Sequence, residues 1–140
     1  MSRSDRAAAF AALVQSGIPV GVLAYHDGTP VGWCSIGPRP TLVALRGGSS
    51  PPGLEAGRTW AVTCFFVDPR RRREGISVRL LRAAVEYARS EGAKVVEGYP
   101  VEPRRDPLSS MGSPSTFRRA GFLDVAPHGL TRHVMRNVVR

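Results

Sequence analysis

One stretch constrains this chain more than any other. Thr59 to Val67 reads Thr-Trp-Ala-Val-Thr-Cys-Phe-Phe-Val and runs straight into Asp68-Pro69. Aromatic and β-branched residues dominate it, so it is a strand, and its near-continuous apolarity predicts burial on both faces. A helix is predicted from Gly75 to Ser90. Leu80, Leu81, Ala84 and Ala88 recur at helical spacing on one face, with Arg79, Arg82, Glu86 and Arg89 on the other. Gly92 stops it, and Lys94 to Tyr99 follows as a second strand. Strand, amphipathic helix and strand make a βαβ crossover.

The flanks complete a mixed α/β domain. Residues 4–16 read as a helix capped by Ser4 or Asp5 and ended by Gly17. Val20 to Tyr25 and Val31 to Ile36 are strands, and the Asp27-Gly28 between them is a hairpin signal. Pro38 and Pro40 break regular structure. A long Gly-, Pro- and Ser-rich loop then reaches Arg58, interrupted by Leu42 to Leu45. Ser115 to Ala120 is a short helix, and Phe122 to Val125 and His133 to Val138 are two last strands. The sheet is expected to be mostly antiparallel with one central crossover. At 140 residues the chain is read as a single domain, 1–140, able to bury a core without staples.

No apolar run approaches the ~20 residues of a membrane span. Met-Ser-Arg-Ser-Asp before an alanine-rich stretch is a poor secretory leader, so a cytoplasmic protein with no membrane partner is expected. Cys34 and Cys64 make neither a disulfide framework nor a metal-ligand spacing. Both are read as buried thiols, and no metal is expected.

Charge narrows the ligand. The formal net charge is +9, and every one of the 20 basic residues except Lys94 is arginine. Arg70 to Arg73 is the only run of four arginines, and it lies between the strongest strand and its helix. A helix N-terminus presents unpaired N–H groups and a partial positive charge. Gly75 permits close backbone approach, Ser77 is small with a hydroxyl to donate, and arginine grips phosphate bidentately. A pyrophosphate is the natural guest. The charge alone also suits a nucleic acid, yet no base-stacking or groove-reading motif accompanies it, so that partner ranks last.

These motifs, in this order, resemble the GNAT superfamily of N-acetyltransferases. Arg72-Arg73-Glu74-Gly75-Ile76-Ser77 is similar to its cofactor motif of Arg or Gln, two residues, Gly, one residue, then Gly or Ala. Val67-Asp68-Pro69 is similar to its lead-in, Leu80-Leu81 and Ala83-Ala84 to its following helix, and Gly32-Trp33 to its hairpin strand. Phe117-Arg118-Arg119-Ala120-Gly121-Phe122 resembles its Tyr-x-x-x-Gly-Phe signature. The likeness covers residues 20 to 138. It implies the acyl-CoA N-acyltransferase (GNAT) fold, with acetyl-CoA as cosubstrate and an amine of a small molecule or protein as acceptor. Phe65, Phe66 and Val67 would pair with the pantetheine arm, admitted by a splay from the strand Lys94 to Tyr99. Arg72, Arg73, Gly75, Ile76 and Ser77 would hold the pyrophosphate. A backbone N–H near Phe66 or Val67 would stabilise the oxyanion.

The chain departs from that pattern at the acid. Phe117 stands where the family often has its proton-donating tyrosine, and Ser110 falls near a common asparagine. Tyr99, Ser115 and Thr116 are the substitute donors, and Glu97 is the candidate base. His26, His128 and His133 are not brought together by the sequence. Trp33, Trp60 and Phe66 are read as core aromatics, with Trp33 also bordering the acceptor pocket. Beside the enzyme stands an alternative, a catalytically silent acetyl-CoA sensor, for which Phe117 speaks. The family's first strand and a further helix would precede residue 4, so the chain is expected to start late, either with a partner subunit covering the open edge as a homodimer or with a misassigned start.

Overall fold

The computed structural model describes residues 20–39, 58–71, 74–101, 112–128 and 132–139, with the isolated positions 2, 4, 8, 12, 15 and 17. Six strands form one sheet in the order β1-β2-β3-β4-β6-β5. The strands are β1 (Gly21–His26), β2 (Thr29–Pro38), β3 (Thr59–Val67), β4 (Val95–Gly98), β5 (Leu123–His128) and β6 (Arg132–Val138). Only β3 and β4 run parallel; every other pair is antiparallel. The helix between those two is α1 (Ile76–Ser90), and α2 (Pro114–Arg119) precedes β5. The predicted crossover and mixed sheet are therefore the observed fold. Ser4, Ala8, Ala12 and Gln15 are helical, while the rest of segment 4–16 and the expected piece Leu42 to Leu45 lie outside the described residues.

Local chemistry explains the elements. The hairpin closes on Asp27 and Gly28, both with positive φ, as a two-residue turn between twisted strands requires. The hairpin strands outrun expectation: β2 continues to Pro38, which is tolerated because a strand end can spare an N–H. α1 buries Val78, Leu80, Leu81, Ala84 and Ala88, the predicted stripe with one more turn, and packs on β1, β2 and β3. In α2 the Ser113 side chain accepts from the Thr116 N–H, and Pro114 opens the first turn.

The core sits between the sheet and these two helices. Cys34, Ile36, Trp60 and Val62 meet Leu80, Leu81, Ala84 and Phe117 there. Trp60 stands edge-on to Tyr87 of α1 at 5.7 Å, and Phe117 edge-on to Phe122 at 4.9 Å and to Phe65 at 5.9 Å. Of the aromatics expected in the core, Trp60 is there, Trp33 is only half-buried, and Phe66 is 57% exposed. The register supplies the reason. Leu23, Trp33 and Phe66 are neighbours across β1, β2 and β3, on the face away from α1. Burial of β3 on both faces accordingly holds from Thr59 to Thr63 and fails beyond it. Cys34 is wholly buried, and burial raises its thiol pKa far above the ordinary range; Cys64 is half-buried.

Candidate functional site

Two features of β3 shape the site. First, its parallel pairing with β4 covers only Thr59–Val62 against Val95–Gly98, so the strands part at Val62 and Gly98. From Thr63 to Val67, β3 stays paired to β2 alone. Second, the register slips at that point: Ser35 faces Cys64 but Ile36 faces Val62, leaving Thr63 as the extra residue of a bulge. The sheet thus opens into a wedge with its vertex between Val62 and Gly98.

β4 ends at Gly98, one residue before the predicted end. A Cβ on Gly98 would lie 2.0 Å from the Phe117 ring, so that ring sits directly on the strand backbone. Phe117 itself is completely buried. Pro100, with no N–H, follows soon after. On the helix side, then, the vertex is closed by aromatic packing. Phe117 presents carbon alone there and has no proton to give.

The other face of the vertex carries charge. Glu97 is the register partner of Ala61 and of Arg136, which puts all three on the face away from α1. Its carboxylate is fully buried. Arg136 Nε donates to Oε2 at 2.6 Å, and the Tyr99 hydroxyl donates to Oε1 at 3.0 Å. Arg39 Nε lies 3.5 Å from Oε1, with its side chain only 3% exposed. The candidate base and the candidate acid are therefore brought together and bonded to each other. Burial, and next the Glu97 charge, raise the Tyr99 pKa well above the usual phenol, so Tyr99 keeps its proton at neutral pH.

The substitute hydroxyls Ser115 and Thr116 are engaged in the α2 cap, within 3.2 Å and 3.0 Å of Ser113 Oγ. His26 pairs with Asp27 at the hairpin turn, while His128 and His133 fall on β5 and β6 at the far edge of the sheet.

At the open end of the wedge, β3 gives way to a single 3-10 turn, Pro69–Arg71, and then to α1. Gly75 caps the helix in the left-handed region at φ 76°, no side chain caps it, and its first turn holds no acid. A side chain there would strain the backbone, which accounts for glycine. The first-turn N–H groups, those of Ile76 and Ser77 among them, point out of the helix end without intrahelical acceptors. Asp68 clamps Arg70 at 3.2 Å, and that bonding holds its carboxyl below the usual range. Arg71 reaches Glu74 at 4.0 Å. Arg72 and Arg73 lie outside the described residues. A cavity of about 410 Å³ opens beside this turn, lined by His26, Thr29, Asp68, Arg70 and Arg71 among others.

Sequence reading singled out Glu97 and Tyr99 but not Arg39 and Arg136, which join them in the structure and whose only signal was an arginine on or beside a strand. Among the described residues there is no metal-ligand cluster, and no helix is long and apolar enough to cross a membrane.

The description "Acetyltransferase (GNAT) family" belongs to the family model that matches residues 3–105. Solved structures share the fold at low identity. Ribosomal-protein-alanine N-acetyltransferase from Brucella melitensis is 18% identical, with a TM-score of 0.65 over 99% of this chain and 79% of that one. An N-acetyltransferase from Staphylococcus aureus Mu50 is 14% identical, with a TM-score of 0.67 over 100% and 79%. The yncA protein of Salmonella typhimurium, determined with its cofactor acetyl-CoA, is 17% identical, with a TM-score of 0.65 over 100% and 75%. No protein of curated function matches the chain in sequence.

Proposed function

The chain belongs to the GNAT acetyltransferase family, and from that premise we propose how its own residues divide the work of acetyl-CoA-dependent N-acetylation. The pyrophosphate rests on the N–H groups opened by Gly75, at Ile76 and Ser77, with Arg72 and Arg73 adding charge. The pantetheine arm lies along β3 through Val67, Phe66 and Phe65, whose backbone lacks a β4 partner. The stretch from Val67 to Val62 spans roughly 17 Å at about 3.3 Å per residue. That is the reach of an extended pantetheine arm, so the thioester arrives at the vertex. The observation that carries the reading is this parting of β3 from β4, on the strand that leads into a helix N-terminus with no side-chain cap.

At the vertex the acceptor amine attacks the acetyl carbonyl carbon and a tetrahedral oxyanion forms. A backbone N–H of the Thr63 to Val67 stretch stabilises it. The carbon–sulfur bond then breaks, the amine nitrogen loses a proton to solvent water, and the thiolate of CoA gains one. Tyr99 supplies that proton by turning its hydroxyl from Glu97 to the departing sulfur. Glu97, with Arg136 and Tyr99 on its two oxygens, acts as a positioning residue that aims Tyr99. The guanidinium groups of Arg39 and Arg136 offset the charge left behind on Tyr99.

A second reading keeps acetyl-CoA binding without turnover. It is favoured by the buried Phe117 ring and by the engagement of the Tyr99 hydroxyl with Glu97.

Calorimetric titration with acetyl-CoA, beside an Arg72→Ala, Arg73→Ala double variant, tests the binding half. Micromolar binding that the double variant loses is expected, and no binding by folded protein overturns both readings. Thiol release with a panel of amines then separates enzyme from sensor. An enzyme liberates CoA with at least one amine and slows in Tyr99→Phe without losing acetyl-CoA affinity. A sensor liberates none.

A further inference from the structure

We propose that Arg136 binds a carboxylate on the acceptor, so that the amine acetylated here belongs to an amino acid or a similar small amino-carboxylate. The inference rests on the reading of the wedge vertex as the place of acetyl transfer.

Three observations carry it. The first is how Arg136 is held. Its Nε is committed to Glu97 at 2.6 Å, which fixes the guanidinium plane. Among the described residues no acceptor reaches its terminal nitrogens, and 24% of the side chain is open. An arginine anchored through Nε and open at its outer edge is prepared for a bidentate carboxylate, the pairing its fork geometry favours.

The second observation is where it sits. Arg136 and Glu97 are one register position from Gly98, on the face away from α1. The opposite face of the vertex is filled by Phe117, which is buried and lies against Gly98. An acceptor approaching the thioester therefore arrives past Arg136.

The third is the charge already present. The Glu97 carboxylate has a second guanidinium, Arg39, 3.5 Å from its other oxygen, so its charge does not depend on Arg136 alone. Two guanidinium groups against one carboxylate leave a net positive charge beside the vertex, which disfavours an ammonium and so assists its deprotonation before attack. The same field repels a polyamine or a lysine-rich segment. A carboxylate on the acceptor offsets it, which selects an amino-carboxylate over a polycation.

The test uses the purified full chain saturated with CoA. N-acetylglycine, N-acetyl-β-alanine and N-acetyl-γ-aminobutyrate serve as product probes of graded length, each beside its uncharged amide. Guanidinium N–H resonances of Arg136, assigned by their absence from Arg136→Lys protein, report contact. At least one acid is expected to shift them and to bind about tenfold more tightly than its amide. Arg136→Lys is expected to weaken that acid by a similar factor while sparing the amide. The proposal is overturned by equal binding of acid and amide in the native protein, by no shift with any acid, or by acid binding that survives Arg136→Lys. Calorimetry with CoA alone precedes these titrations. Failure there removes the reading of the vertex itself, whereas CoA binding without a carboxylate preference removes this inference only.

Discussion

Glu97 on β4 and Arg136 on β6 face each other across the sheet, with the arginine Nε 2.6 Å from a carboxylate oxygen that no solvent reaches. Tyr99 and Arg39 close on the other oxygen. Such a cluster holds its geometry only while every member is present, because the Glu97 carboxylate and Arg39 are desolvated and rely on their neighbours.

Removing the carboxylate charge should therefore be costly. Glu97→Gln is expected to lose about 3 to 5 kcal/mol of folding stability, the range for breaking a buried pair and leaving its partner charged. Urea unfolding at neutral pH measures it. A loss below ~1 kcal/mol would mean that solvent reaches the cluster after all.

Gly98 touches a ring rather than space. Gly98→Ala puts a methyl 2.0 Å from Phe117, and overpacking of this kind costs typically about 1 to 3 kcal/mol. The same substitution in a Phe117→Leu background should cost less, because the obstructing ring edge is gone. A double-mutant cycle by thermal unfolding reads the coupling.

Gly75 tests the helix end by backbone alone. No atom lies within 4 Å of a Cβ built there, so Gly75→Ala meets strain from its φ of 76° and nothing else. The expected loss is about 1 to 2 kcal/mol. The stabilisation by saturating acetyl-CoA should also shrink, since the cap geometry aims the N–H groups. Melting curves with and without acetyl-CoA separate the two effects.

Tyr99 sets an alkaline limit. Its folded pKa is raised above the unfolded value of about 10. Below pH ~10 both states hold the proton and the contribution to stability is complete. As pH rises further, the unfolded chain releases the proton first, so stability falls until the folded pKa is passed. Native protein should lose urea resistance above pH ~10 more steeply than Tyr99→Phe. In a spectrophotometric titration, the late phenolate phase should vanish from the variant. A slope shared by both proteins would remove Tyr99 as its cause.

Much of the fold was legible in order and type. The βαβ unit followed from the apolar run of β3 and the 3.6-residue stripe of α1, both local patterns. The start of α1 followed from Gly75 after the arginine run. What the sequence could not show was which side of β3 ends up covered. Phe66 looked like core because apolarity carries no register, and it is exposed because pairing with Trp33 turns it away from α1.

The chain alone thus determined the elements and the glycine turn that opens α1, since each depends on neighbours within a few residues. The tertiary structure decided the vertex. Arg39, Glu97, Tyr99 and Arg136 come from β4, β6 and the end of β2, and only strand register puts them around one carboxylate. Register is fixed by burial summed over the whole sheet, a quantity no local window contains.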